Sequence, residues 1–245
     1  MNNGIYTAYS GLRAQMDALD VLANNLANLN TAGFKEEMIY FSLQNPAAES
    51  ATNSSDLGST INRSIKTQGA LSALDGSINQ TNRDLDVAIE GNGFLTLQTP
   101  RGIRYTRNGN LQLNSKGLLV ASDGSPLLGT SGRPIALGPG KIAISEQGAV
   151  SLDGSEVDRL KIVAFDDLSN LAREGNSLLM LQNGKGEEKI SNARIKSGYL
   201  EQSNINAINS IVRMVDIMRQ FEAIKKTIDL VMNDINTKSI DKLGK

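Results

Sequence analysis

Apolar side chains near the start of the chain recur every three or four residues. They are Ile5, Tyr9, Leu12, Met16, Leu19, Leu22, Leu26 and Leu29. This spacing places them on one face of an α-helix. Gly33 follows, and glycine favours the left-handed conformation in which helices commonly end. The pattern therefore predicts a helix over residues 5–29 that stops near residues 31–33.

A second apolar stripe begins after Ile205 and predicts a long helix near the other end of the chain. Ser203 or Asn204 is a candidate N-cap, because both side chains can accept a hydrogen bond from the backbone of a first helical turn. The stripe consists of Ile208, Ile211, Val215, Met218, Phe221, Ile224, Ile228, Val231 and Ile235.

The middle of the chain follows a different pattern, in which short apolar runs alternate with turn signals. The runs cover residues 87–89, 94–97, 160–165 and 178–181, and runs of this kind are typical of β-strands. The turn signals are Asn108-Gly109, Lys116-Gly117, Asp123-Gly124, Asp153-Gly154 and Asn183-Gly184. Residues 44–64 show neither period and predict an extended segment.

These patterns predict an α+β fold with three parts. The N- and C-terminal α-helices, in residues 1–35 plus 201–245, pair as a coiled-coil-like stalk. Residues 36–65 form an extended connector, and residues 66–200 form a central all-β domain of antiparallel hairpins. Two paired helices bury only one seam, which leaves apolar residues such as Val21 and Val212 on their outer flanks. Two interpretations remain open: packing of these helices against other subunits, or packing of both on the β domain as ordinary core helices.

Composition excludes several classes of function. The 245 residues carry 25 basic and 26 acidic side chains, and they include no Cys, His or Trp. Disulfide frameworks, Cys-His and Ser-His-Asp catalysis and ordinary zinc sites are therefore excluded. A net charge of −1 argues against nucleic-acid binding. With 4% aromatic residues, the core is expected to be aliphatic. No apolar run is long enough to span a membrane, and no secretory signal pattern is recognised, so stable membrane insertion is not expected.

Two groups of residues invite an enzymatic interpretation, and both are weak. The loop at residues 90–93 is glycine-rich, but it lacks the helix that a phosphate-binding loop requires. The acidic pairs Asp84 with Asp86 and Asp166 with Asp167 are expected to be solvated loop residues, because adjacency in sequence does not create a catalytic cleft. No enzymatic activity, cofactor or metal site is predicted.

Four passages resemble the signatures of bacterial flagellar rod and hook proteins. The most specific is LANNLANLNTAGFK at residues 22–35. The others are LDVAIEGNGFL at residues 85–95, RYTRNGNLQLNSKGLLVASDGSPLL at residues 104–128, and GYLEQSNIN at residues 198–206. They occur in the family's order and span nearly the whole chain. The opening of the chain looks most like the proximal-rod members and next like the distal-rod members.

The resemblance implies a structural subunit of the flagellar basal-body rod that polymerises head to tail into a helical drive shaft. Copies of itself, other rod and hook proteins and the flagellar type III export apparatus are the implied partners. Export without a cleaved signal peptide and a location in the periplasm-spanning rod are also implied. The alternatives are a distal-rod or hook subunit of the same family and, in a different class, a β module that binds cell-wall glycan.

Interface residues follow from the two stripes and the first signature. The N-terminal set is Leu12, Leu19, Leu22, Asn24, Asn25, Leu26, Asn28, Leu29, Thr31, Gly33 and Phe34. The C-terminal set is the second stripe, Ile208 to Ile235, as given above. Lys35 is expected to be a solvated charge, and Arg104 and Arg107 are expected to pair with acids of a neighbouring subunit.

Overall fold

The computed structural model describes residues 2–44, 64–175, 177–182, 189–191 and 193–243. Two compact units are distinguished in it. The helical unit comprises residues 1–26, 38–69 and 207–245, and the β unit comprises residues 27–37 and 70–206. The predicted α+β class is confirmed. Residues 27–35, which the sequence placed with the terminal helices, group with the β unit.

Helix α1 (Asn2–Ala27) confirms the predicted N-terminal helix. It ends two residues earlier than expected, and Gly33 beyond it has a φ of +65°. In the helical unit, small or apolar side chains of α1 at Ala14, Ala18 and Leu22 are buried. Their spacing of four residues defines the one face of the helix that the chain itself covers.

Helix α2 (Ala207–Leu243) confirms the predicted C-terminal helix. It begins at Ala207, so the prediction that Ser203 or Asn204 caps it is wrong. The reason lies in competing partners within the β unit. The Asn204 side-chain oxygen accepts a hydrogen bond from the Glu36 backbone N–H at 2.6 Å, and its Nδ2 donates to the Leu74 carbonyl at 2.8 Å.

Strands β1 (Glu37–Gln44) and β2 (Ser64–Leu71) pair as a two-stranded sheet. They lie at the two ends of the segment expected to be an extended connector, and residues 45–63 of that segment lie outside the described residues. Within the helical unit, the Thr67 hydroxyl on β2 donates to Asp17 Oδ2 on α1 at 2.8 Å.

The remaining strands belong to the β unit. They are β3 (Ile78–Gln80), β4 (Val87–Glu90), β5 (Phe94–Thr99), β6 (Gly102–Thr106), β7 (Gln112–Leu113), β8 (Leu119–Val120), β9 (Ile142–Ile144), β10 (Ala149–Leu152), β11 (Ser155–Arg159), β12 (Ile162–Ala164), β13 (Leu171–Glu174), β14 (Leu178–Leu181), β15 (Lys189–Ile190), β16 (Arg194–Ser197) and β17 (Tyr199–Glu201). A six-stranded antiparallel sheet has the order β13-β14-β6-β5-β12-β15, and a three-stranded sheet has the order β11-β10-β9. The pairs β16-β4, β17-β3 and β7-β8 complete the unit.

The four predicted apolar runs are confirmed as strands β4, β5, β12 and β14. Gly117, Gly124 and Gly154 in the predicted turns all have positive φ. The predicted turn at Asn183-Gly184 lies outside the described residues.

Two hydrophobic clusters fill the β unit. The larger one is aliphatic, as expected, and includes the fully buried Val87, Leu97 and Leu111. The smaller one departs from the expectation, because it contains three of the few aromatic rings. The ring centroids of Tyr105 and Phe165 are 4.9 Å apart, and Phe94 lies 6.0 Å from Phe165.

Candidate functional site

The segment that follows α1 is anchored on the β unit by Gly33. Its backbone N–H donates to the Glu201 carbonyl at 2.7 Å. A Cβ at this position would lie 2.3 Å from the carbonyl carbon and oxygen of Arg107. The left-handed φ and this close approach both require glycine. Thr31 stabilises the turn between α1 and Gly33, because its backbone N–H donates to the Asn28 carbonyl at 3.1 Å.

Phe34 is 1% exposed, and its ring makes a cation–π contact with the guanidinium of Arg173. The guanidinium carbon of Arg173 lies 4.0 Å from the centre of the Phe34 ring, and an Arg173 N–H donates to the Lys35 carbonyl at 2.6 Å. Burial lowers the pKa of Arg173, and the nearby Glu37 carboxylate opposes that shift. Phe34 is therefore held in place by its own chain.

Next to Phe34 in the chain begins a group of four charged side chains, three buried and one exposed, which we call the charge junction. It consists of Lys35, Asp75, Arg107 and Glu201. Lys35 Nζ lies 2.7 Å from Asp75 Oδ1 and 3.1 Å from Glu201 Oε1. Arg107 donates from Nε to Glu201 Oε2 at 2.7 Å and from a terminal nitrogen to Asp75 Oδ1 at 2.9 Å. Two cations thus face two anions.

Arg107 uses all of its donors. Besides the two carboxylates, its terminal nitrogens donate to the backbone carbonyls of Gly91, Gly93 and Ile89 at 2.8, 2.5 and 3.3 Å. A guanidinium has five N–H groups, so its hydrogen-bonding capacity is filled. These hydrogen bonds offset the cost of burying a charged side chain that is only 2% exposed.

Both carboxylate oxygens of Glu201 also accept hydrogen bonds. Its Oε1 accepts the Gly76 backbone N–H at 3.0 Å, in addition to the contact from Lys35. A Cβ at Gly76 would lie 1.9 Å from the Gln202 carbonyl, so only glycine brings this N–H close enough. The junction is therefore built by backbone geometry as well as by charge.

All four signature passages meet at the charge junction. The first supplies Gly33 and Lys35, the second supplies the carbonyls of residues 89, 91 and 93, the third supplies Arg107, and the fourth supplies Glu201. The four passages therefore share a physical role in one place within the β unit.

The junction corrects two expectations about charge. Lys35 is 5% exposed and ion-paired, so the prediction of a solvated charge is wrong. Arg107 pairs with acids of its own chain, and Arg104 pairs with Glu174 of its own chain. The expectation that these two arginines pair with acidic residues of a neighbouring subunit is therefore wrong, because carboxylates of the same chain already pair with them.

The weak enzymatic candidates are dispersed. Asp84 and Asp167 are exposed as expected, but Asp86 is 1% exposed, with Arg83 at 3.4 Å, so it is not a solvated loop residue. The loop at residues 90–93 directs carbonyl oxygens at the Arg107 cation, which is the opposite of a phosphate cradle. Among the described residues, no cluster of three acidic side chains suited to a metal occurs.

The predicted interface residues of the first helix and signature divide by burial. Leu22, Asn25, Asn28, Gly33 and Phe34 are buried, Asn24 is exposed, and the others are half-buried. Asn25, Asn28 and Asn24 all make intrachain interactions. The half-buried residues are Leu12, Leu19, Leu26, Leu29 and Thr31.

The predicted residues on α2 are far less covered. Ile208 is 75% exposed, and Ile211, Val215, Met218 and Val231 are 40–48% exposed. Phe221, Ile224 and Ile228 are half-buried, and the side chain of Ile235 lies outside the described residues. In the described part of α2, the apolar residues Val212, Leu230 and Met232 are also exposed, although they lie outside the predicted stripe.

No helix in the described part of the chain combines the length and the apolar character that crossing a membrane requires.

Three family models match the chain in order. The model described as flagella basal body rod protein matches residues 5–35, that of the flagellar hook protein FlgE/F/G D1 domain matches residues 88–152, and that of the flagellar basal body rod FlgEFG protein C-terminal region matches residues 196–231.

Curated relatives match over nearly the full length. The chain is 32% identical to flagellar basal-body rod protein FlgF of Caulobacter vibrioides, over 100% of this chain and 99% of the relative. It is 33% identical to FlgG of Borreliella burgdorferi and 29% identical to FlgG of Bacillus subtilis, in both cases over 93% of this chain and 94% of the relative.

Proposed function

Because the chain belongs to the flagellar basal-body rod protein family, we propose that its copies assemble head to tail through their terminal helices. It is a structural subunit of the bacterial flagellar basal body, and its family is structural rather than enzymatic. A head-to-tail contact that does not close on itself generates a helical filament, which is the form a drive shaft requires.

The observation that carries this proposal is the uncovered apolar surface of α2. Ile208, Val212 and Leu230 are 75%, 55% and 64% exposed. Burying one side chain of this size contributes about 1.5–3 kcal/mol. Several such residues on one helix favour packing against other helices, and neighbouring subunits offer the same helices in repeated copies.

The two terminal helices are proposed to pair as a coiled-coil-like stalk within this assembly. Support comes from Gln15 on α1, whose Nε2 donates to Gln220 Oε1 on α2 at 3.2 Å. A polar pair between apolar stripes favours one register over its neighbours. The exposed and half-buried members of the interface set would then contact other subunits, and the buried members would hold their own chain in the required conformation.

The partner proteins of the subunit and its export route are proposed from its membership of the family. We propose contacts with copies of itself and with other rod and hook proteins, in the proximal rod first and in the distal rod or hook as the alternative. The relatives named FlgF and FlgG support this order. Export by the flagellar type III apparatus without a cleaved signal, and a place in the periplasm-spanning rod, belong to the same proposal.

The test is a charge placed on the exposed stripe. Ile211→Asp and Met218→Asp in the full chain should abolish swimming and leave basal bodies that lack normal rods in electron micrographs. Thr227→Asp adds the same charge at an exposed polar position of α2 and should swim normally. Circular dichroism of each purified chain checks that the helices are retained. Normal rods in both stripe variants would refute assembly through α2.

A further inference from the structure

A cleft of about 430 Å³ opens on the β unit, and none of the four side chains of the charge junction is among its lining residues. Its floor is apolar and includes Leu160, Ile162 and Ala193. Ile190 also lines the cleft; it is 86% exposed and belongs to β15, which is one of the two edge strands of the six-stranded sheet. The volume falls within the range of about 300–1,000 Å³ that ligand pockets occupy.

Cations dominate the walls of the cleft. Arg159, Lys161 and Arg194 line it, together with one acid, Glu146. Among the described residues, the titratable lining groups therefore carry a net charge of +2, on a chain whose net charge is −1. Arg159 makes an exposed ion pair with Glu156 at 3.3 Å, and exposed pairs of this kind contribute little to stability. Its guanidinium can exchange that partner for another carboxylate.

The lining also indicates which anion fits. None of the described residues that line the cleft is aromatic, whereas glycans are commonly held by stacking on aromatic rings. An apolar floor beside basic walls instead suits an extended peptide that alternates apolar and acidic side chains, because successive side chains of a strand point to opposite sides. Polar groups of Thr130, Gln147 and Ser191 lie among the lining residues.

We propose that this cleft binds an extended acidic polypeptide segment of a partner protein. Carboxylates of the partner would pair with Arg159, Lys161 and Arg194, and an apolar side chain would cover Ile162. The lining residues all belong to the β unit, so the inference goes beyond assembly through α2 and stands or fails independently of it.

The experiment measures binding of a fluorescein-labelled hexapeptide of alternating glutamate and leucine to the purified full chain by fluorescence anisotropy. We expect saturable binding at about 50 mM salt that weakens at about 300 mM, where screening is stronger. Arg159→Gln and Arg194→Gln should each weaken binding about three- to tenfold. Lys116→Gln and Lys141→Gln remove exposed cations outside the cleft and should leave it unchanged.

Two further probes separate the alternatives. A hexapeptide of alternating glutamine and leucine should not bind, and polygalacturonate should bind more weakly than the acidic peptide. The proposal is overturned if the acidic peptide does not bind, if both arginine variants bind it as well as the lysine controls do, or if polygalacturonate is preferred. Circular dichroism of the variants shows that exposed substitutions leave the fold intact.

Discussion

Arg107 and Glu201 lie 94 positions apart in the chain, yet Arg107 Nε donates to Glu201 Oε2 at 2.7 Å. Each side chain is only 2% exposed. The pair joins the hairpin that ends at β6 to the strand that precedes α2, and Lys35 brings in the segment that follows α1. The first, third and fourth signatures are thus linked by charged side chains with hydrogen bonds to the backbone around them.

Removing one partner of this pair should destabilise the β unit strongly. Glu201→Gln keeps the shape of the side chain but leaves the buried Arg107 and Lys35 with one carboxylate, Asp75. Breaking a buried ion pair in this way costs about 3–5 kcal/mol. Urea unfolding followed by circular dichroism gives the free energy of unfolding.

The exposed pair Arg159–Glu156, at 3.3 Å, provides the matched control. Glu156→Gln should cost about 0–1 kcal/mol, because exposed ion pairs are screened by water. Equal costs for Glu201→Gln and Glu156→Gln would mean that the charge junction does not stabilise the fold.

Gly33→Ala tests the close approach between the first and third signatures. The new Cβ would lie 2.3 Å from the Arg107 carbonyl, and the φ of +65° adds the strain of a left-handed alanine. Gly132 has a φ of +74° with no atom within 4 Å of its built Cβ. Gly132→Ala should therefore cost about 1–2 kcal/mol from strain alone, and Gly33→Ala should cost clearly more.

The measurement is the midpoint of thermal unfolding for each variant against the parent chain. The difference between the two variants isolates the steric contact from the backbone strain that they share. If Gly33→Ala is no worse than Gly132→Ala, the segment that follows α1 does not pack on Arg107 in solution.

Periodicity was sufficient to predict part of this fold, whereas β1 and β2 form at the two ends of the segment that was expected to be an extended connector. Both helices and the strands β4, β5, β12 and β14 follow from the spacing of apolar residues, because that spacing depends only on local geometry. The start of α2 could not be placed in this way, since Asn204 has the composition of a cap but is held by Glu36 and Leu74.

The charge junction could not be predicted from periodicity either, because its members are far apart in the sequence. In sequence, a buried charge with distant partners, such as Lys35 or Arg107, cannot be distinguished from a solvated one. Its partners, Asp75 and Glu201, lie 40 and 94 positions away respectively. The sequence did contain one indication of the junction. Three of the four signature passages each contribute one charged residue to it, namely Lys35, Arg107 and Glu201.

Acid should weaken the β unit through Glu174. The hydrogen bond from Arg104, reinforced by Arg101, holds the pKa of Glu174 below its ordinary value of 4.5. The native state therefore binds fewer protons than the unfolded state, so this contribution is present above pH 4.5 and is lost as the pH falls through the native pKa. NMR titration of the Glu174 carboxyl measures that pKa.

Two arginine variants rank the causes of the shift. Arg104→Gln should raise the pKa of Glu174 more than Arg101→Gln does, because the hydrogen bond from Arg104 is the largest cause. The reverse order would show that Arg101 is the principal partner. The chain has no histidine, so the stability curve should contain no imidazole step between about pH 6 and 7.5.

Gln15 and Gln220 give the sharpest test of helix pairing. Gln15 Nε2 donates to Gln220 Oε1 at 3.2 Å, and Gln15 Oε1 is buried without a hydrogen-bond partner among the described residues. Gln220→Leu should cost about 0.5–1.5 kcal/mol, because it removes the hydrogen bond from the Gln15 amide. Adding Gln15→Leu replaces both polar groups with apolar ones and should restore most of that loss. A double-mutant cycle by urea unfolding measures the coupling, and additive costs would mean that α1 and α2 do not meet at these residues in the isolated subunit.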